Sequence, residues 1–188
     1  MDTRNRRMDA EWQLLQALVD ANRFAFASVV RFQGEFRIVM RESPAWVGKQ
    51  HERRIETEHA LRYVYPRYYP SLPLEGYFVR PVLHVNVDPL TGFVCLWKNY
   101  QPAQTIVDAI LITRAVMACK AANWEPAHRM QHVISASAES YVLPMPSLTI
   151  PAICRPSLFR RSNGRQRLSL ELHDHAPHES NLAFSDIE

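Results

Sequence analysis

Apolar residues first recur at helical spacing. Between about Met8 and Asn22, Trp12, Leu15, Leu18 and Val19 return every three or four residues, while Asp9, Glu11 and Asp20 keep the opposite side polar. The pattern then changes to period two. Phe24 to Val30 and Phe36 to Met40 flank Gln33-Gly34-Glu35, where a glycine supplies the turn of a hairpin. Ser43-Pro44 ends the second strand. Ile55 to Tyr65 reads as a third strand, with Thr57, His59, Leu61, Tyr63 and Tyr65 on one face, and Glu75 to Leu83 reads as a fourth. Between them, four tyrosines (63, 65, 68 and 69) and Pro66, Pro70 and Pro73 predict a rigid crossover, because proline fixes φ and donates no ladder bond.

Helical spacing returns at Thr105. Thr105-Ile106-Val107-Asp108 has the form of a capping box, and Ile106, Ala109, Ile110, Thr113, Val116 and Met117 share a face that Leu111 and Ile112 widen. A helix over Thr105 to about Ala121 is expected, and a second after Pro126, over Ala127 to about Tyr141. The proline-rich stretch from Val142 to Pro156 reads as a linker or a wrapped arm. A helix followed by meandering strands and then helices predicts an α+β domain: an N-terminal helix on one face of a four-stranded antiparallel sheet, with the later helices beyond it. The expected division is a catalytic domain over residues 1–145 and a polar arm and tail over 146–188.

Composition narrows the function. A hydrophobic fraction of 47% and a charged fraction of 22% suit a globular protein, and a net charge of +3 is too small to argue for a nucleic-acid partner. Five glycines and no glycine-rich phosphate loop argue against a nucleotide fold, and no cofactor is expected. Cys95, Cys119 and Cys154 form no disulfide framework, the first residues lack an apolar signal region, and no apolar run reaches membrane-spanning length. A cytoplasmic protein without a membrane partner is expected. Lys49, Lys98 and Lys120 are the only lysines. His173, Asp174, His175 and His178 in the tail lack partner cysteines and are split by Pro177, so no metal site is assigned.

The chemistry concentrates in Leu83 to Thr105. His84-x-Asn86 precedes an Asp-Pro-Leu-Thr-Gly turn; Cys95 follows within Phe93-Val94-Cys95-Leu96-Trp97; Pro102-Ala103 then leads to Thr105. A thiol beside a carboxamide can form an acyl thioester, and the same residues can equally build an ordinary strand and loop with a structural cysteine. The order H-x-N, T-G-x-x-C-L and P-A-x-T resembles the core of the ubiquitin-conjugating enzymes. Tyr69-Pro70-Ser71-Leu72-Pro73 is similar to that family's Y-P-x-x-P turn, and Asn123-Trp124-Glu125-Pro126 to its N-P-D-D-P segment. Together these motifs cover roughly residues 8 to 140.

The resemblance implies that Cys95 accepts a ubiquitin-like modifier from an activating enzyme as a thioester and passes it to an amine on a protein substrate. It implies that Asn86 stabilises the oxyanion or braces the loop, that Glu125 orients the incoming lysine, and that His84 supports the site. It also makes the basic cluster Arg4, Arg6 and Arg7, with Pro102 and Ala103, a docking surface for partners. Val85 stands where the family has proline, the run after the cysteine is Trp97-Lys98-Asn99-Tyr100, and the spacing behind it is shortened. These departures resemble the bacterial conjugating-like proteins of antiphage operons. Two alternatives remain: an interaction module of the same fold, and a cysteine hydrolase pairing Cys95 with His84 or His128.

Overall fold

A computed structural model of the protein describes residues 2–49, 52–122, 129–131 and 141–154. The first helix, α1, spans Thr3–Ala21 and buries Met8, Glu11, Leu15 and Leu18. It starts five residues before the apolar pattern does, so Arg4, Arg6 and Arg7 lie in its first turns. Tertiary partners explain the extension. Arg4 donates from Nε and NH2 to the carbonyl of Tyr65, at 3.0 and 2.6 Å, and Arg7 reaches Glu11 one turn on, at 2.7 Å. Glu11, expected on the wet side, is 1% exposed.

The strands are β1 (Phe26–Phe32), β2 (Glu35–Met40), β3 (Ala45–Val47), β4 (Arg54–Glu56), β5 (His59–Val64), β6 (Glu75–Phe78) and β7 (Phe93–Val94). The main sheet has the order β1-β2-β5-β6-β7, antiparallel throughout. The expected four-stranded meander is therefore present, and β7 adds a fifth strand beside β6. The expected third strand, Ile55 to Tyr65, is broken at Thr57-Glu58: its first part, β4, pairs with β3 in a separate two-stranded sheet. The fourth stops at Phe78 rather than Leu83; Phe78 already spends its N–H on the carbonyl of Gly92, and Pro81 cannot continue a ladder. Alternate residues of β2 and β5 (Phe36, Ile38, Met40; His59, Leu61, Tyr63) point into the core against α1 and the later helix.

That later helix, α2, spans Ile106–Met117 behind the capping box read from the sequence. Thr105 N–H donates to Asp108 Oδ2 at 2.7 Å, and Thr105 Oγ1 accepts from Val107 N–H at 3.2 Å. All six residues assigned to its inner face are buried. It ends four residues before the expected Ala121. Cys119 takes φ 55°, its N–H donates to the carbonyl of Val116, and Lys120 N–H donates to that of Ala115. This pair of bonds is the Schellman arrangement, with cysteine where glycine is usual.

α1, the sheet and α2 are tied at one point. The buried Glu11 carboxylate accepts from Tyr65 Oη at 3.1 Å, Tyr69 Oη, Arg7 Nε and the N–H of Ile106 at 2.8 Å, so it also sits on the N-terminal end of α2. Of the two readings of the proline-rich arm, residues 142–154 wrap. Leu143 N–H donates to Ala118, Asn22 is hydrogen-bonded to both backbone groups of Thr149, and Cys154 ends a 3-10 turn (Ala152–Cys154) buried against α1. Most of the second helix expected over 127–141 and the whole tail beyond 154 lie outside the described residues.

Candidate active site

A tight hairpin presents Cys95. Asp88 Oδ1 accepts from the N–H groups of Leu90 and Thr91, both at 2.8 Å, and so closes the turn. Gly92 then has φ 74°, and a Cβ there would lie 2.1 Å from the carbonyl oxygen of Phe78. Val87 pairs with Val94 across the hairpin. This register sets Cys95 opposite Asn86. The N–H of Cys95 donates to the Asn86 carbonyl at 2.8 Å, and Asn86 Nδ2 donates to the Cys95 carbonyl at 3.3 Å. Two of the four residues assigned to catalysis are thereby locked together.

His84 locks the same loop from beneath. It is 2% exposed. Its Nδ1 accepts the N–H of Asn86 at 3.1 Å, and its ring hydrogen-bonds the backbone of Ala121. Accepting at Nδ1, the neutral ring carries its proton on Nε2. Burial pushes its pKa down from 6.5 to about 4, against the raising effect of the Ala121 bond. With Nδ1 accepting from Asn86 and the ring buried, His84 serves the loop rather than Cys95.

The thiol opens into a cleft of about 220 Å³ between the hairpin and the end of α2, lined by Asn86, Cys95, Trp97, Lys98, Val116 and Ala122 among others. Cys95 is partly exposed, and burial raises its pKa above the ordinary thiol value. The unbound cleft therefore holds a thiol with a small thiolate fraction at neutral pH, open to a large electrophile and screened on one side by apolar wall. Cys119, expected as buried packing, is half-buried, with its pKa raised to about 11 by desolvation; Cys154 is buried, and burial raises its pKa too. Among the described residues, no group of three or more His, Cys, Asp or Glu side chains is arranged to hold a metal ion, and no helix is long and apolar enough to cross a membrane.

The residues expected to form a docking surface divide. Arg7 NH2 lies 3.3–3.4 Å from the carbonyls of Pro102, Ala103 and Gln104, which joins the start of α1 to the exposed loop before α2. Arg6 is exposed beside them, whereas Arg4 is turned onto Tyr65. Glu125 and His128 lie outside the described residues. Two features escaped the sequence. Gln131 is 4% exposed and its Nε2 donates to the carbonyls of Val82 and Val87, both at 2.9 Å, clamping the ends of the His84–Asn86 loop; Met130 N–H adds a bond to Val85. A lone glutamine in a polar stretch carries no signal of this. Lys98 lines the thiol's cleft, a placement hinted at only by its separation of three residues from Cys95.

No protein-family model and no curated protein matches the chain. Solved structures do. The ubiquitin-conjugating enzyme Pex4p of H. polymorpha, crystallised with the soluble domain of Pex22p, superposes with a TM-score of 0.52 at 16% identity, over 70% of this chain and 85% of its own. A Toxoplasma gondii ubiquitin-conjugating enzyme domain is matched at 27% identity and a TM-score of 0.40, over 57% of this chain and 74% of its own. With its N-terminal helix, antiparallel sheet and later helix, the chain has the α+β fold of the ubiquitin-conjugating enzymes.

Proposed function

We propose that the protein is a thioester carrier: Cys95 accepts a ubiquitin-like modifier from an activating enzyme and passes it to an amine of a protein substrate. The observation that carries this reading is the reciprocal backbone and carboxamide pairing of Asn86 with Cys95 at the mouth of a cleft. In charging, the Cys95 thiolate attacks the thioester carbonyl on the activating enzyme. A new C–S bond forms, the old one breaks, and the enzyme's thiolate departs. One thioester replaces another, so the step is nearly balanced and needs no strong base. Transfer then forms a C–N bond to the amine and returns the Cys95 thiolate.

Within this reading Asn86 braces the loop and stands ready to stabilise the tetrahedral oxyanion. His84 supports Asn86 from below. Glu125, by its place in the family-like motif, orients the attacking amine. Arg6 and Arg7, with Arg4 behind them and Pro102 and Ala103 alongside, form the surface on which the activating enzyme docks. The run after Cys95 and the loss of the family proline at Val85 favour a role alongside the bacterial conjugating-like proteins in antiviral defence.

A hydrolase that pairs Cys95 with His84 is disfavoured because the buried His84 ring already spends Nδ1 on the N–H of Asn86. The decisive experiment is charging with ATP, an activating enzyme and its ubiquitin-like modifier, read on a non-reducing gel. A higher band should appear that reductant removes; Cys95→Ala should lose it, whereas Cys119→Ala and Cys154→Ala keep it. Folded wild-type protein that binds the modifier or activating enzyme without charging is instead an interaction module.

A further inference from the structure

We propose that the cleft beside Cys95 selects the residue that brings the acyl group. It favours a modifier whose last residue carries an apolar side chain over one ending in glycine, and Trp97 is the specificity-determining wall. This rests on the carrier reading above and adds a substrate class to it.

The alternation at the end of β7 sets the wall. Val94 and Leu96 are buried, whereas Cys95 and Trp97 are half-buried and line the same cleft. Trp97 is held in two ways. Its Nε1 donates to the carbonyl of Leu74 at 2.9 Å, and its ring meets that of Tyr100 edge to face, with centroids 5.6 Å apart. Tyr100 is itself tied, its Oη donating to the Pro70 carbonyl at 2.9 Å. Across the cleft, α2 contributes Ile112 and Val116, one turn apart on one face, and the chain beyond its end contributes Ala121 and Ala122. Alanine at both of these positions leaves room that a longer side chain would take. Asn86 and Lys98 are polar residues of the lining, and among the described residues no acidic side chain joins them.

Volume and rigidity decide what fits. The cleft holds about 220 Å³. An apolar cavity of about 150 Å³ already takes a benzene ring, so a leucine or phenylalanine side chain can enter while the acyl carbonyl stays at Cys95 Sγ. Removing about 55 Å² of apolar surface from water corresponds to about a tenfold gain in second-order rate. The pinned Trp97 supplies its surface without being reordered, so little of that gain is lost. A glycine terminus leaves the wall wet and forgoes it, and a basic terminal side chain would find no carboxylate among the described lining residues. The bond changes are those of charging: Sγ attacks the thioester carbonyl, a new C–S bond forms, and the donor's thiolate departs.

The test uses the full chain and two small donors below saturation, the S-phenyl thioesters of N-acetylglycine and N-acetylleucine. Acyl-Cys95 is followed by peptide mass mapping, and each rate is divided by that of free N-acetylcysteine, which removes the donors' intrinsic difference. The leucyl donor should be favoured about tenfold. Trp97→Ala should abolish the preference, and so should Ala122→Leu, which fills the cleft from a half-buried position without emptying the core. Tyr100→Phe, which frees the brace behind Trp97, should weaken it. Equal normalised rates, or a leucyl preference that survives both Trp97→Ala and Ala122→Leu, overturn this inference and leave the carrier reading intact. Folded protein whose Cys95 takes neither acyl group overturns both.

Discussion

Acid should loosen the active-site loop through one residue, His84. The imidazole is buried and neutral, with its pKa pushed down by desolvation from 6.5 to about 4. The unfolded chain therefore binds a proton in this interval that the folded chain refuses, and stability falls as pH falls. The full loss is complete only below pH 4. At about 1.4 kcal/mol per pH unit it amounts to about 3 kcal/mol, of which about 2 kcal/mol is already gone at pH 5 and almost none at pH 7.5. For a protein of this size the pH 5 loss corresponds to a fall in Tm of about 4–8 °C. Carboxylates such as Glu35 and Asp88, whose pKa values are also lowered, and the buried His59 add their own acid sensitivity. The assay is therefore a difference. Urea unfolding of wild type and His84→Gln is followed from pH 7.5 to 5, and the variant should start less stable but lose about 2 kcal/mol less over the range. Protonated His84 can no longer accept the N–H of Asn86, so charging of Cys95 by the folded protein should hold down to pH 5 and decline as pH falls through about 4. Parallel stability curves, or an NMR titration of His84 near 6.5, would refute the reasoning.

Glu11→Ala leaves a half-buried guanidinium and three donors without their acceptor, and should cost about 3–5 kcal/mol in urea unfolding, with Glu11→Gln costing distinctly less. A loss under about 1 kcal/mol would mean that water replaces the carboxylate. Gly92→Ala forces a Cβ onto the Phe78 carbonyl at positive φ; it should destabilise by more than the about 1–2 kcal/mol of left-handed strain alone and slow charging by displacing Cys95. Because burial raises the Cys95 thiol, its alkylation by iodoacetamide should quicken about tenfold per pH unit up to and beyond pH 8.5, without the plateau near neutrality of an activated cysteine.

Local pattern by itself determined the spine of the fold. The three-and-four spacing of Leu15 and Leu18, the alternation through β2 and β5, and the Thr105–Asp108 box each express a preference contained within a few residues, and each appears where the chain predicts it. The order of His84, Asn86, Cys95 and Pro102 likewise singles out the stretch on which the proposed site rests. What the tertiary structure decided was every property that depends on a distant partner. Glu11 reads as a wetted helix residue and is buried because Tyr65, Tyr69, Arg7 and the end of α2 converge on it. The start of α1 depends on the Tyr65 carbonyl, 61 residues away. Gln131 clamps a loop more than 40 residues upstream. The neutrality of His84 and the raised thiol of Cys95 follow from desolvation, which belongs to the packed ensemble of groups around a side chain and to no stretch of sequence.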